Sequence, residues 1–302
     1  MSHYLIVIIG TTAIGKTKLS IALAKHFKAP ILSCDSRQFF KELTIGTAVP
    51  TAEELHQAKH YFIQNKSIFE PYNVGQFERE AINLLDKIYK TSNFAIMVGG
   101  SGLYVDAVLN GLDYFPKVNS EIRANLNKQL IEKGLKSLQV QLKTLDLESY
   151  QNIEIENPHR IIRALEICLA TGKTYSSFKQ QSKISRNFTT ILIGLTAPRT
   201  TIYERINQRV DEMMSNGLLE EVKQLYPYKN LNALQTVGYK ELFAYFDHQY
   251  TLAIAVDEIK KNTRRFAKRQ ETWFRKNESI NWFDYDKTEA IIPFIKQKLA
   301  IK

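Results

Sequence analysis

Several features that would assign a chain early are scarce or missing in these 302 residues. The two cysteines, Cys34 and Cys168, lie far apart without metal-ligand spacing, which excludes a disulfide framework and predicts buried free thiols. No apolar run reaches membrane-spanning length and no export segment precedes the first apolar run, so we expect a cytoplasmic protein that does not enter a membrane. Internal repeats and low-complexity tracts are also absent. The composition, 44% hydrophobic and 24% charged, is that of a globular chain with a large core.

Positive charge is in excess. Lysine and arginine number 41 against 31 acidic residues, and the net charge of +10 makes a polyanionic partner plausible without identifying it. Eight of the basic residues fall between Lys260 and Lys276. Ile259, Phe266 and Trp273 recur there every seven residues and predict a helix with one buried stripe. Its cations form either a solvated face or a surface that contacts RNA phosphates.

A glycine-rich segment lies between the apolar run Leu5 to Ile9 and the helical pattern Leu19 to Phe27, which indicates strand, turn and helix. Such a turn presents backbone N–H groups and a helix N-terminus to an anion, adds a lysine charge, and offers a hydroxyl to magnesium. The pattern therefore predicts a P-loop that binds a diphosphate or triphosphate, with Lys16 on the phosphate and Thr17 on Mg²⁺, directly or through water. The segment reads Gly10, Thr11, Thr12, Ala13, Ile14, Gly15, Lys16, Thr17.

The next two predicted strands differ in the residues that follow them, which are glycine-rich after one strand and acidic after the other. The strand Phe94 to Val98 ends on Gly99-Gly100-Ser101-Gly102, where a P-loop hydrolase usually has a magnesium-binding Asp. The strand Ile31 to Cys34 does end on an acid, Asp35. Ligands of open α/β sheets bind at the carboxyl ends of the strands, so we expect Asp35 beside the P-loop.

The order of strand and helix patterns predicts an α/β fold, a P-loop core with a parallel sheet and an inserted helical domain. The core comprises residues 1–114 and 186–302, and the insertion residues 115–185. Within the insertion, Asn157 and Pro158 begin a helix that Gly172 ends, and Arg160 and Arg163 share one of its faces.

Two histidines, His56 and His60, have the i, i+4 spacing of zinc proteases. Gln57 stands where the glutamate base of that motif would be. A surface helix is the favoured interpretation over a zinc site.

Beyond the P-loop, an ordered set of motifs from about Ile6 to Phe283 resembles the bacterial tRNA dimethylallyltransferases of the IPP transferase family. The set is much more specific than a P-loop alone. Its members are Gly10 to Thr17, Asp35 to Gln38, Gly46 to Ala48, Tyr72 to Gly75, Gly99 to Tyr104, Arg160 to Glu166, Gln235 to Tyr239, Lys268 to Gln270 and Trp273 to Arg275.

The resemblance implies transfer of a dimethylallyl group from dimethylallyl diphosphate, with Mg²⁺, to N6 of the adenosine on the 3′ side of the anticodon. The base must leave the RNA stack to react. Asp35 is the implied general base, Arg209 reaches the diphosphate, and Gln38 reads the base edge. The implied contacts with the tRNA anticodon stem-loop are Asp35, Ser36, Arg37, Gln38, Ser101, Arg123, His159, Arg160, Ile161, Ile162, Arg163, Val237, Gly238 and Tyr239.

The chain departs from the family's usual pattern at Thr11, Ile14 and Ser101, where Pro, Ser and Thr are common. We expect Ile14 to remove a polar contact with the donor. The absence of a zinc finger after the basic helix disfavours the eukaryotic form. The alternatives are an AMP or ADP isopentenyltransferase, a small-molecule kinase, and a non-catalytic P-loop protein that binds RNA. A monomer is the expected state.

Overall fold

A computed structural model describes residues 2–179 and 184–300. The chain divides into two compact units, Met1–Asn110 with Ser185–Lys302, and Gly111–Ile184. Among the helices that the structure describes, none is long and apolar enough to cross a membrane.

The first unit contains a six-stranded parallel sheet with the strand order β3-β2-β4-β1-β5-β6. The predicted α/β parallel sheet is confirmed. The strands are β1 Tyr4–Gly10, β2 Ile31–Ser33, β3 His60–Tyr61, β4 Phe94–Gly99, β5 Thr189–Thr196 and β6 Asn281–Asp284. The helices of this unit are α1 Lys16–Phe27, α2 Ala52–Gln57, α3 Val74–Ile88, α4 Gly102–Asn110, α8 Arg199–Ser215, α9 Leu218–Leu225, α10 Tyr239–Phe246, α11 Leu252–Phe274 and α12 Ile291–Ala300.

Apolar residues on both faces of β1 explain why the sheet is covered on both sides. Leu5, Val7 and Ile9 pack into a cluster that includes residues of α3 and α4. Ile6 and Ile8 point the other way, into a cluster that includes residues of α1, α8 and α12. Alternate side chains of a strand point to opposite faces, so an unbroken apolar run is the pattern of a doubly covered parallel strand.

The described part of the second unit contains three α-helices, α5 Ser120–Leu145, α6 Leu147–Asn152 and α7 Pro158–Thr171, followed by a short 3-10 helix, Ser176–Phe178. Gly134, with φ of 74°, interrupts α5. Asn157 caps α7 by accepting a hydrogen bond from the N–H of His159, and Gly172 ends it in the left-handed conformation, as predicted. The core lies between α5 and α7 and includes Leu126, Leu138, Leu142, Ile161, Ile162 and Leu165.

Three expectations about individual elements are wrong or incomplete. The strands β3 and β6 were not predicted, because runs of two and four residues carry little periodic signal. The helix expected across both histidines ends at Gln57, and His60 belongs to β3.

The buried stripe of α11 also differs from the prediction. Phe266 and Trp273 are 38% and 37% exposed, and only Ile259 of the predicted stripe is buried. A seven-residue repeat drifts around a straight helix by about 20° per heptad, so three such residues do not hold one face unless a partner helix follows them. The buried residues of α11 are Ala255, Ile259, Ala267, Gln270 and Phe274.

Candidate active site

The predicted P-loop runs from the end of β1 into α1. Gly10 has φ of 150°, and a Cβ there would lie 2.9 Å from the carbonyl oxygen of Leu195 on β5. Gly15 caps α1 in the left-handed conformation, with φ of 101°. Both positions favour glycine for backbone reasons. Ile14 is 2% exposed and packs into the core, although it also lines the cavity of the P-loop.

Lys16 folds over the loop that carries it. Its ammonium donates hydrogen bonds to the carbonyl oxygens of Gly10 and Thr11, at 3.1 and 2.7 Å. Burial lowers the pKa of Lys16 to about 8, against the opposing effect of the Asp35 carboxylate, while the Arg209 charge lowers it further. The ammonium is thus desolvated and its hydrogen-bond acceptors are neutral backbone carbonyls. An anion bound in the loop would offset the free-energy cost of this desolvation.

Two arginines of α8 face the same loop. The guanidinium of Arg209 lies 3.5 Å from the hydroxyl oxygen of Thr12, and burial lowers its pKa despite the nearby Asp35. Arg205 donates from Nε to the carbonyl of Ala13 at 2.7 Å and stacks over the ring of Tyr285. The family resemblance implied Arg209, whereas Arg205, which lies 192 positions from Ala13, was not predicted.

Asp35 follows β2, with β4 between that strand and β1. Its Oδ1 accepts a hydrogen bond from the N–H of Arg37 at 3.0 Å. The next residue, Ser36, donates its N–H to the hydroxyl oxygen of Ser101 at 3.1 Å. The glycine-rich end of β4 and the acidic end of β2 are therefore tied together, and the carboxylate is held half-buried at the carboxyl edge of the sheet.

Two cavities meet at this edge. The first, of about 440 Å³, is lined by the P-loop residues Thr12 to Thr17. The second, of about 400 Å³, is lined by Ser36, Ser101 and the segment Gln235 to Gly238. Six residues line both cavities: Thr12, Asp35, Thr47, Ala48, Arg209 and Phe266. Asp35 is therefore accessible from both sides.

Two polar side chains predicted to contact tRNA form hydrogen bonds with protein groups. Arg37 donates hydrogen bonds to the carbonyls of Asn232, Ala233 and Gln235, and burial lowers its pKa. Gln38 donates hydrogen bonds to the carbonyls of Thr47 and Ala48. It also accepts a hydrogen bond from the hydroxyl of Ser33. Both side chains hold the loops around the second cavity, and base reading by Gln38 stays a prediction.

Three residues predicted to contact tRNA have buried side chains, and their contact with tRNA stays a prediction. Tyr239 is fully buried and donates from its hydroxyl to Glu221 at 2.6 Å. Ile161 and Ile162 are 0% and 4% exposed and pack in the core of the helical unit. The motifs that contain these residues include core positions. The sequence of a motif alone does not show which of its residues are buried and which are exposed.

The cations of the helical unit are partly paired. Arg123 donates two hydrogen bonds to the carboxylate of Glu166, at 3.1 and 2.7 Å, and Arg163 donates a third at 3.2 Å. Burial acts to raise the pKa of Glu166, but the two arginines outweigh it and lower the pKa below its usual value. His159 and Arg160 are exposed at the start of α7.

Sequence reasoning missed two further residues that face the P-loop cavity. Gln270, on α11, accepts the N–H of Thr12 and was quoted only as part of a motif. His60, dismissed as a zinc ligand, lines the cavity. Its Nδ1–H donates to the carbonyl of Ala58, and its buried Nε2 has no hydrogen-bond partner within the described part of the chain.

Fold and loop together define a P-loop α/β protein. The family model described as IPP transferase matches residues 38–277, more than half of the chain. The chain belongs to the IPP transferase family, as the sequence motifs predicted.

Relatives and solved structures agree with this assignment. The chain is 59% identical to a tRNA dimethylallyltransferase of Flavobacterium psychrophilum, over 98% of this chain and 99% of the relative. It is similar to the crystal structure of a tRNA isopentenylpyrophosphate transferase from Bacillus halodurans, with 36% identity, a TM-score of 0.74, and coverage of 99% and 97%. A eukaryotic dimethylallyltransferase acting on tRNA gives a TM-score of 0.78 at 27% identity, over 94% of this chain and 74% of the other.

Proposed function

We propose that this protein is a transferase that modifies tRNA, moving a dimethylallyl group from dimethylallyl diphosphate to N6 of the adenosine on the 3′ side of the anticodon. The observation that carries the proposal is the position of Asp35, between a cavity that ends in the P-loop and a second cavity. A diphosphate donor and an extruded base can meet at this carboxylate from opposite directions. Relatives named tRNA dimethylallyltransferase match this chain over nearly their whole length.

The chemistry is a displacement at an allylic carbon. The N6 lone pair forms a bond to C1 of the donor, the bond from C1 to the bridging oxygen breaks, and the diphosphate leaves with the electron pair. Asp35 accepts the proton that N6 loses. The ammonium of Lys16, the guanidinium of Arg209 and the backbone N–H groups of Ala13 to Thr17 stabilise the charge that grows on the diphosphate.

The residues of the P-loop fit a magnesium ion. The Thr17 hydroxyl is an oxygen donor that lines the P-loop cavity, and Mg²⁺ in phosphate sites is held by one or two protein groups together with substrate oxygens. Bound there, it would neutralise charge on the diphosphate. A Thr17→Val variant should need a higher magnesium concentration for half-maximal transfer, whereas an unchanged magnesium dependence would remove Thr17 from this role.

For the acceptor, we propose the tRNA anticodon stem-loop, with contacts from exposed residues of the helical unit such as His159 and Arg160. The net charge of +10 favours such a polyanion over a free nucleotide. Cytoplasmic residence and a monomeric state remain predictions from the sequence.

The decisive experiment follows labelled dimethylallyl diphosphate into unmodified tRNA with magnesium, with AMP as a parallel acceptor. We expect label in tRNA and none in AMP. Label in AMP would instead assign a free-nucleotide isopentenyltransferase, and nucleotide turnover without tRNA would assign a kinase. Tight tRNA binding with label in neither acceptor would indicate a binding protein.

A further inference from the structure

The side chain of Gln270 joins two loops that are distant in sequence. Its Oε1 accepts the N–H of Thr12 in the P-loop at 2.9 Å, and its Nε2 donates to the carbonyl of Gly100 after β4 at 3.0 Å. Gln270 is 6% exposed; its hydrogen bond with Gly100 is buried, and its hydrogen bond with Thr12 is partly buried at the wall of the P-loop cavity. We call these two hydrogen bonds the Gln270 bridge.

The glycine-rich loop leaves room for this bridge. A Cβ at Gly100 would lie 2.2 Å from Nε2 of Gln270, and a Cβ at Gly99 would lie 2.5 Å from Sγ of Cys34. Real Cβ atoms do not approach so closely, so the loop packs at backbone distance against α11 on one side and the end of β2 on the other.

The bridge continues to the proposed general base. The residue after Gly100 is Ser101, whose hydroxyl oxygen accepts the N–H of Ser36, next to Asp35. A continuous path of hydrogen bonds and short backbone segments thus runs from the P-loop through Gln270 to the carboxylate. Removal of the Gln270 amide would take this hydrogen-bond partner from the Thr12 N–H and from the Gly100 carbonyl.

We propose that Gln270 is a positioning residue that sets the separation between the diphosphate-binding loop and Asp35. This inference rests on the proposed function. In a displacement the attacking nitrogen, the carbon and the leaving oxygen must be aligned, and a misplacement of about 1 Å can cost on the order of 100-fold in rate. The bridge fixes the position of the diphosphate-binding loop relative to Asp35. It leaves both groups free to contact substrates.

The test compares Gln270→Met, which keeps the length of the side chain and removes both hydrogen bonds, with Phe274→Leu as a control. Phe274 lies one turn further along α11, is 4% exposed and packs in the core. It lines a small cavity together with Gly10 and Thr11, so Phe274→Leu disturbs packing near the P-loop without removing a hydrogen bond of the bridge. We expect both variants to lower the melting temperature. Gln270→Met alone should raise amide exchange in peptides that contain Thr12 and Ser101, and lower the single-turnover rate roughly tenfold or more at saturating donor and tRNA.

A second variant, Gln270→Glu, separates the two ends of the bridge. Its carboxylate still accepts the Thr12 N–H but no longer donates to Gly100, so we expect exchange to rise mainly in the peptide with Ser101. Three results would overturn the proposal: exchange unchanged in Gln270→Met, a transfer rate within twofold of wild type, or equal slowing in Phe274→Leu. If the wild-type protein transfers no prenyl group, the proposed function fails, whereas the exchange measurements still test the bridge.

Discussion

The P-loop cavity and the helical unit both carry cations that we assign to anionic substrates, but the two regions hold them differently. Lys16 is desolvated and bound to backbone carbonyls, and Arg209 lies beside the Thr12 hydroxyl. Arg123 and Arg163 instead share the carboxylate of Glu166. A bound anion contributes more interaction free energy with a cation whose partners are neutral carbonyls than with a cation already paired with a carboxylate. We therefore expect the cavity to bind a small anion strongly and the helical unit to contact a large anion more weakly.

The largest expected effect tests the cavity side of this comparison. Replacing Lys16 by Met removes the charge nearest the leaving group, and we expect a fall of about 100- to 1000-fold in kcat/KM for the donor, as for loss of a transition-state contact. The control is Lys18→Met, which removes an exposed charge two residues along α1. Equal losses in the two variants would mean that net charge, rather than the position of Lys16, matters.

The next effect concerns the carboxylate between the cavities. Asp35→Asn keeps the shape and removes the base, so we expect turnover to fall roughly 100-fold, a typical general-base contribution. Affinities for tRNA and donor, measured at equilibrium, should stay within a few-fold. Near-normal turnover would reduce Asp35 to an orienting residue.

A smaller effect follows from the pKa of Lys16, which burial lowers to about 8. The protonated form binds the diphosphate, so activity is lost as pH rises through this pKa. Between pH 7 and 9 the protonated fraction should fall about tenfold, and kcat/KM for the donor with it. Lys16→Arg, which stays charged in this range, should lose this alkaline limb even if its rate is low. A limb that persists in Lys16→Arg would belong to another group.

The smallest effect tests the helical unit. Glu166→Gln frees Arg123 and Arg163 from their shared acid, and we expect tRNA to bind about two- to fivefold more tightly at low salt, because phosphate affinity grows with available charge. Unfolding free energy should fall by about 1–3 kcal/mol with the lost hydrogen bonds. The matched control is Glu148→Gln, an exposed acid of α6 that pairs with no arginine in the described part of the chain. If both variants tighten binding equally, the gain comes from net charge and not from releasing the arginines.

Much of the site was predictable because its signals are local. The P-loop depends on consecutive residues whose backbone conformation sets the function, and the cap of α7 depends on the neighbours Asn157 and Pro158. Asp35 was predictable because parallel strands share a carboxyl edge. The ordered motifs supplied the family, which the comparisons confirm.

Other features depend on contacts between residues far apart in the chain. Gln270 reaches Thr12 across 258 positions, and Arg205 reaches Ala13 across 192. Periodicity placed Phe266 and Trp273 in the buried stripe of α11, but both are partly exposed. Which face of a helix is buried depends on the shape of its neighbours, here glycine loops that approach closely.

The sequence by itself determined the P-loop, the parallel α/β sheet, the position of Asp35 at a strand end and the family. These follow from local backbone preference and from the alternation of apolar residues, which act over a few positions. Only the tertiary structure decided which motif residues are buried, as with Tyr239, and which ones bind other protein groups, as with Arg37 and Glu166. The reason is physical: burial and pairing depend on the segments that fold against a residue, and those segments lie elsewhere in the chain.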